Sequence, residues 1–231
     1  MPDSDSQLRR LENGNIEITL ILPWVDISKG ISDQEKKAAG SAQVPGFRKG
    51  TAPKKLVEPL IDKSRLLNEA VRELLPQIYA RTVAEHQLKP ILYPHIHIDK
   101  GVQDQDWQFT ALTCESPAVT LSFPLKFPPD IKDVSAKLEL LRHNSSVKIP
   151  DMLVEEEANH RLSNLAENIT RLGLTIDQYL QTKKLSPETL KSQLASQSRA
   201  DLEVEFILQH IQKQQQLADR KATLDFLTGM L

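Results

Sequence analysis

A chain of 231 residues with 39% hydrophobic, 26% charged and 5% aromatic residues holds enough apolar material for one large or two ordinary folded domains, which excludes a disordered polymer. Its 29 Lys and Arg stand against 31 Asp and Glu, a formal net charge of -2, so no global field draws it onto nucleic acid or an acidic membrane and any polyanion contact is local. The single cysteine, Cys114, excludes an internal disulfide or a cysteine-rich zinc site, and with a polar start and no long apolar run it predicts a cytoplasmic protein without signal peptide or membrane span.

Leu8 to Glu12 and Ile16 to Leu22 flank Asn13-Gly14, a dipeptide suited to a tight turn, so the chain opens with an antiparallel hairpin. Pro23 ends the second strand. The spacing of Val25, Ile31 and Ala38 predicts a helix over Trp24 to Ala39, weakened by Gly30. Pro45 to Pro53, with two prolines and two glycines within nine residues, forbids regular structure and demands a shaped loop. Leu56, Leu60, Leu67, Val71, Leu74, Ile78 and Val83 then share one helical face, with Pro59 and Pro76 expected to divide the stretch into shorter helices.

From Ile91 the period changes to two: Ile96 and Ile98 alternate with His95, His97 and Asp99, and a second strand runs from Trp107 to Thr113. Thr120 to Phe127 is expected to extend that sheet, as an edge because of Pro124, Pro128 and Pro129. The α+β part finishes near Leu141. Pro150, followed by Asp151 and Glu155 to Glu157, marks a helix start with acidic groups at its positive end. Val154, Ala158, Leu162, Leu165, Ile169 and Leu172 step by four, four, three, four and three as one stripe, and Gly173 caps it. Tyr179 and Leu180 fall in a short connecting turn or helix. Ser186-Pro187-Glu188 starts another helix through Leu190, Leu194, Leu202, Phe206 and Ile211, expected to pack antiparallel to the first, and Leu217, Leu224, Leu227 and Leu231 predict a short last one.

Residues 44 to 53, Val-Pro-Gly-Phe-Arg-Lys-Gly-Thr-Ala-Pro, resemble the signature loop of the trigger factor family, Gly-Phe-Arg-x-Gly followed shortly by Pro. The hairpin, Pro23-Trp24 and Leu88-Lys89-Pro90-Ile91 to Pro94 fall where that family's N-terminal domain has them. Ile149-Pro150-Asp151 to Glu157, Gly173-Leu174 to Tyr179-Leu180 and Arg199 onward are similar to the start of its C-terminal domain. The resemblance implies an α+β N-terminal ribosome-binding domain over 1–143, followed by an all-α, shortened C-terminal domain over 144–231. It implies a ribosome-docking, ATP-independent chaperone for nascent or unfolded polypeptides. The implied docking residues are Gly46, Phe47, Arg48, Lys49 and Gly50, with Lys54 and Lys55, set against a large-subunit ribosomal protein and ribosomal RNA beside the polypeptide exit. The physics of the loop agrees. Gly46 and Gly50 open backbone angles closed to other residues while Pro45 and Pro53 stiffen the flanks. Phe47 offers an aromatic anchor, Arg48 a bidentate donor and Lys49 a point charge. Lys54, Lys55, Lys63 and Arg65 outnumber Glu58 and Asp62, which makes a local basic face.

Full-length members of that family carry a prolyl isomerase domain between the two parts, and the stretch from Leu141 to Pro150 has no room for it. No isomerase activity is therefore expected, nor any other catalysis: a Gly-x-Ser-x-Gly elbow, a phosphate loop and a dinucleotide fingerprint are all missing from the sequence. No cofactor is expected and no metal, since His95 and His97 lack an evident third ligand. Candidate client-binding residues are Leu153, Leu162, Leu165, Phe206 and Ile207, on a helical arm short enough to leave homodimerisation open. A ribosome-associated assembly or tethering protein without client holding is the alternative, and an α+β binding module with some other partner a more remote one.

Overall fold

Alternation along a strand sends every second side chain to one face, and Ile16, Ile18, Leu20 and Leu22 follow it with full burial. This row anchors the first half of the fold. The computed structural model describes residues 7–41, 47, 62–121, 127–128, 131 and 133–229. Its elements are β1 (Leu8–Arg10), β2 (Asn15–Leu22), α1 (Trp24–Ser41), α2 (Lys63–Glu85), β3 (His95–Lys100), β4 (Trp107–Cys114), β5 (Val119–Thr120), α3 (Val134–Asn144), β6 (Ser146–Val147), α4 (Asp151–Arg171), α5 (Ile176–Lys183), α6 (Pro187–Gln214) and α7 (Arg220–Gly229). Two compact units result: Met1–Arg10 with Ile16–Thr113, and Leu11–Asn15 with Cys114–Leu231. In the second unit α3 packs with the helices that follow it.

In the first unit the strands lie in the order β1-β2-β4-β3, with β1 antiparallel to β2 and β3 antiparallel to β4. The β2 row packs with Trp107, Phe109 and Ala111 of β4, Ile27 of α1, and Val71 and Ile78 of α2. One sheet face is thus covered by two helices. The amide of Trp24, at the start of α1, donates to Asp106 Oδ1 at 2.8 Å, a cap supplied from 82 positions away. Gly30, which weakens the helix as sequence, is required by packing: a Cβ there would stand 3.1 Å from Ala70 Cβ and 3.2 Å from Leu74 Cδ1. A side chain at that point would hold α1 and α2 apart.

Three expectations are corrected. Pro76 does not divide α2, which runs unbroken from Lys63 to Glu85. The proline ring is exposed and the packed face, with Leu66, Ala70, Val71 and Ile78, lies elsewhere, so the backbone bond lost at Pro76 opens toward water. The helix starts at Asp62, whose carboxylate accepts from the amides of Ser64 and Arg65; Leu56, Pro59 and Leu60 lie outside the described residues. Second, the hairpin forms as expected but its first strand ends at Arg10 rather than reaching Glu12. The Leu11 amide donates to Asn15 O at 2.8 Å, the Gly14 amide donates to Leu11 O at 3.1 Å, and Gly14 has φ of 83°. This is a three-residue loop closed by a left-handed glycine. Third, Thr120 does not join the four-stranded sheet. β5 pairs with β6 in a separate two-stranded sheet, Val119 opposite Val147 and Thr120 opposite Ser146, while 122–126 lie outside the described residues.

The second unit is helical apart from that ribbon. Its core gathers Leu141 of α3, Ile207, Leu208 and Ile211 of α6 and Leu227 of α7. Pro150 precedes α4 and has no side chain with which to cap it. The Asp151 amide instead donates to Asn13 O at 3.1 Å and the Met152 amide to Asn15 Oδ1 at 3.1 Å. The 176–183 stretch is a true helix, opened by a capping box between Thr175 and Gln178. Ser186 caps α6 through the Thr189 amide with Pro187 in the first turn, as its residue types demand.

Candidate functional site

The loop singled out by its Gly, Pro and basic residues joins α1 to α2. Of its expected docking residues the structure describes Phe47, which sits in a bend with 43% of its surface exposed. At that exposure Phe47 is not a core residue. Gly46, Arg48, Lys49, Gly50, Lys54 and Lys55 lie outside the described residues.

The helices on either side show how charge is distributed around the loop. Lys36 pairs with Asp33 at 2.8 Å, Lys37 with Glu73 at 3.2 Å, and Arg65 with Glu69 at 2.8 Å. The hydrogen bond and charge of Lys36 hold the Asp33 carboxyl below its ordinary range, and Glu69 raises the Arg65 guanidinium above its own. These flanks neutralise themselves. Arg65, expected to contribute to a basic face, pairs with Glu69 of its own helix while its side chain stays largely exposed. A groove of about 750 Å3 between α1 and α2 carries Asp26, Lys29, Asp33, Glu73 and Arg81 on its walls. Its mixed charges set no nucleophile beside a base.

His95 and His97 lie on β3, fully exposed. Among the described residues no three His, Cys, Asp or Glu gather as a metal site requires. Cys114 is buried, and that burial raises its thiol pKa, which keeps it protonated and unreactive.

The residues expected to hold clients divide. Leu153, Leu162, Leu165 and Phe206 are half-buried, whereas Ile207 is 1% exposed inside the second unit's core and presents nothing to a partner. Helical spacing could not separate Phe206 from Ile207, since both fall within the broad apolar arc of α6. Among the described residues the exposed large apolar side chains of this unit are Leu172 at 77%, Leu174 at 46% and Ile176 at 40%, clustered where α4 passes into α5 around Gly173. Sequence reading counted Leu172 into the buried stripe. The available signal was its place beside Gly173, with Leu174 and Ile176 following in a connection too short to bury them. α4 and α6 are joined by Arg161 to Asp201 at 2.8 Å and by Arg199 to Asp151 and the Ile149 carbonyl.

Two family models match the chain. Residues 5–139 match the family model described as bacterial trigger factor protein, and residues 134–223 match the model for the C-terminus of that protein. The trigger factor of Mycobacterium tuberculosis (strain ATCC 25177 / H37Ra) is 32% identical over 146 residues, covering 59% of this chain and 31% of that protein. The trigger factor of Cutibacterium acnes (strain DSM 16379 / KPA171202) is 26% identical over 186 residues, covering 74% of this chain and 35% of the relative. A solved structure of the trigger factor chaperone, described for promiscuous substrate recognition in folding and assembly, aligns with a TM-score of 0.37 at 16% identity over 70% of this chain and 35% of its own. The chain spans about a third of the length of the curated relatives it matches.

Proposed function

The chain belongs to the bacterial trigger factor family, and on that premise we propose that it is a ribosome-docking, ATP-independent chaperone that holds nascent or unfolded polypeptides in the cytoplasm. The observation that carries the reading is Phe47, exposed within Gly46-Phe47-Arg48-Lys49-Gly50 between two packed helices. Because α1 and α2 cancel most of their own charge, contact with ribosomal RNA phosphates falls to Arg48, Lys49, Lys54 and Lys55, beside an apolar anchor seated on ribosomal protein. Clients are held by weak apolar contacts from Leu153, Leu162, Leu165 and Phe206, joined by Leu172, Leu174 and Ile176; Ile207 serves the core. The two family matches overlap at residues 134–139, which leaves no residues between them for an isomerase domain, and no prolyl isomerase activity is assigned.

The test is cosedimentation with vacant ribosomes. The wild type should pellet, less so as salt rises, and a variant carrying Phe47→Ala, Arg48→Ala and Lys49→Ala should stay in the supernatant. A wild type that never pellets would sink the docking assignment. Pelleting without suppression of aggregation of an unfolded protein would favour the tethering reading instead.

A further inference from the structure

A sheet edge offers a row of unpaired backbone donors and acceptors, and proteins normally blunt such edges with brevity, charge or cover. The four-stranded sheet has two edges. β1 is blunted: it is three residues long and carries Arg9 and Arg10. β3 is not. It runs for six residues without an internal proline, every residue is exposed, and among the described residues no strand pairs with its outer side. Ile96 opposes Ala111 and Ile98 opposes Phe109, so both point to the core face of the sheet, yet they remain 38% and 51% exposed beyond the reach of the helical layer.

The edge is also held in shape without a partner. Thr110 Oγ1 donates to Asp99 at 2.7 Å, and the Trp107 indole donates to Val102 O at 3.0 Å. At Gly101 a Cβ would stand 3.2 Å from Ile98 Cγ2 and 3.4 Å from the Trp107 ring, so glycine allows the chain to turn tightly against the strand end. A preformed edge spends no ordering entropy when a second strand arrives.

We propose that the outer edge of β3 binds an extended segment of unfolded polypeptide by strand addition, with apolar residues at alternate positions meeting Ile96 and Ile98. This rests on the chaperone reading above and gives its substrate a form. Main-chain hydrogen bonds recognise any extended chain and alternate side-chain pockets add only a preference, which is the selectivity that varied unfolded clients require. A second copy of this chain is the weaker occupant. The pairing of β3 becomes irregular between Ile98 and Lys100, so the regular edge is His95 to Ile98, far too short to bury the roughly 1,200 Å2 or more of a stable interface. The register that sets Ile96 against Ile98 of the other copy also sets two His97 rings face to face. A short, weak contact suits a client that must leave.

The experiment uses the full chain and a labelled nine-residue peptide in which valine alternates with serine and threonine. Two further versions carry N-methyl groups on alternate amides, one in each phase. Binding should weaken by about tenfold or more for one phase and stay within about twofold for the other, because only one set of amides faces β3. The Ile96→Lys, Ile98→Lys variant should lose the parent peptide to the same extent while pelleting with ribosomes as the wild type does. Equal binding of both methylated peptides overturns the proposal, as does no binding of the parent, or a variant that merely loses a concentration-dependent dimer. The methylated peptides act on the wild type, so the result does not hang on the variant's folding. Suppression of aggregation by the wild type reports separately on the chaperone reading: if it persists while the peptides fail, the β3 site alone is lost.

Discussion

Lysine is seldom enclosed in a protein interior, yet Lys137 of α3 is 1% exposed. Its Nζ donates to the Leu227 carbonyl at 2.8 Å and lies 5.3 Å from the centroid of the Phe127 ring. Leu227 stands in the last turn of α7, where carbonyls lack helical partners and the dipole is negative, so a cation is the group that end calls for. At 1% exposure the alkyl stem is enclosed along with the ammonium. Lys137→Ala should lower stability to urea by about 2–4 kcal/mol, through lost packing and an unpaired carbonyl. Lys137→Met keeps the stem and should lose less than half as much. A Met variant as stable as the wild type would show that the ammonium contributes nothing. Nothing local in the sequence marks Lys137 as buried, because its partner is 90 positions away.

At the level of elements, α2 shows packing overruling a local breaker. Pro76 removes the amide that would bond the Arg72 carbonyl, and both residues face solvent. On the opposite side Ala70, Val71 and Ile78 pack against α1 and the sheet. Burying that face outweighs one missing backbone bond. Pro76→Ala should therefore restore the bond and stabilise the protein by about 1–3 kcal/mol, seen as a higher urea midpoint with an unchanged slope. A fall in the midpoint would mean that the proline ring itself contributes to the packing of α2. Gly30 makes the complementary point: judged along α1 it is a weakness, and judged across to Ala70 it is what the helix crossing requires.

For the whole molecule, the proposed function puts docking and holding on different residues, and the two should come apart. The Phe47, Arg48, Lys49 triple alanine variant should lose ribosome pelleting yet suppress aggregation in ribosome-free solution as the wild type does, followed by light scattering of a diluted unfolded protein. Loss of both together would mean that the loop also touches clients. The same preparation should leave the rate of proline isomerisation in a short peptide at its uncatalysed value, and a measurable acceleration would overturn the reading that no isomerase function is present. Among the described residues no helix is long and apolar enough to cross a membrane, so the assays proceed without lipid.

By itself the sequence determined those features whose physics is local. The β2 alternation, the Ser186-Pro187 helix start and the α4 stripe as far as Ile169 each depend on neighbours within a turn or two, and the Gly-Phe-Arg-Lys-Gly signature was enough to reach the family. Tertiary structure decided what depends on distant partners. Trp24 is capped by Asp106, 82 residues on, and the Met152 amide by Asn15, 137 residues back. Val119 pairs with Val147 rather than with the large sheet, Ile207 goes inward while Leu172 stays out, and among the described residues no strand covers the outer edge of β3. Propensity and periodicity specify which faces of an element are apolar; only the packed fold settles which of those faces finds cover.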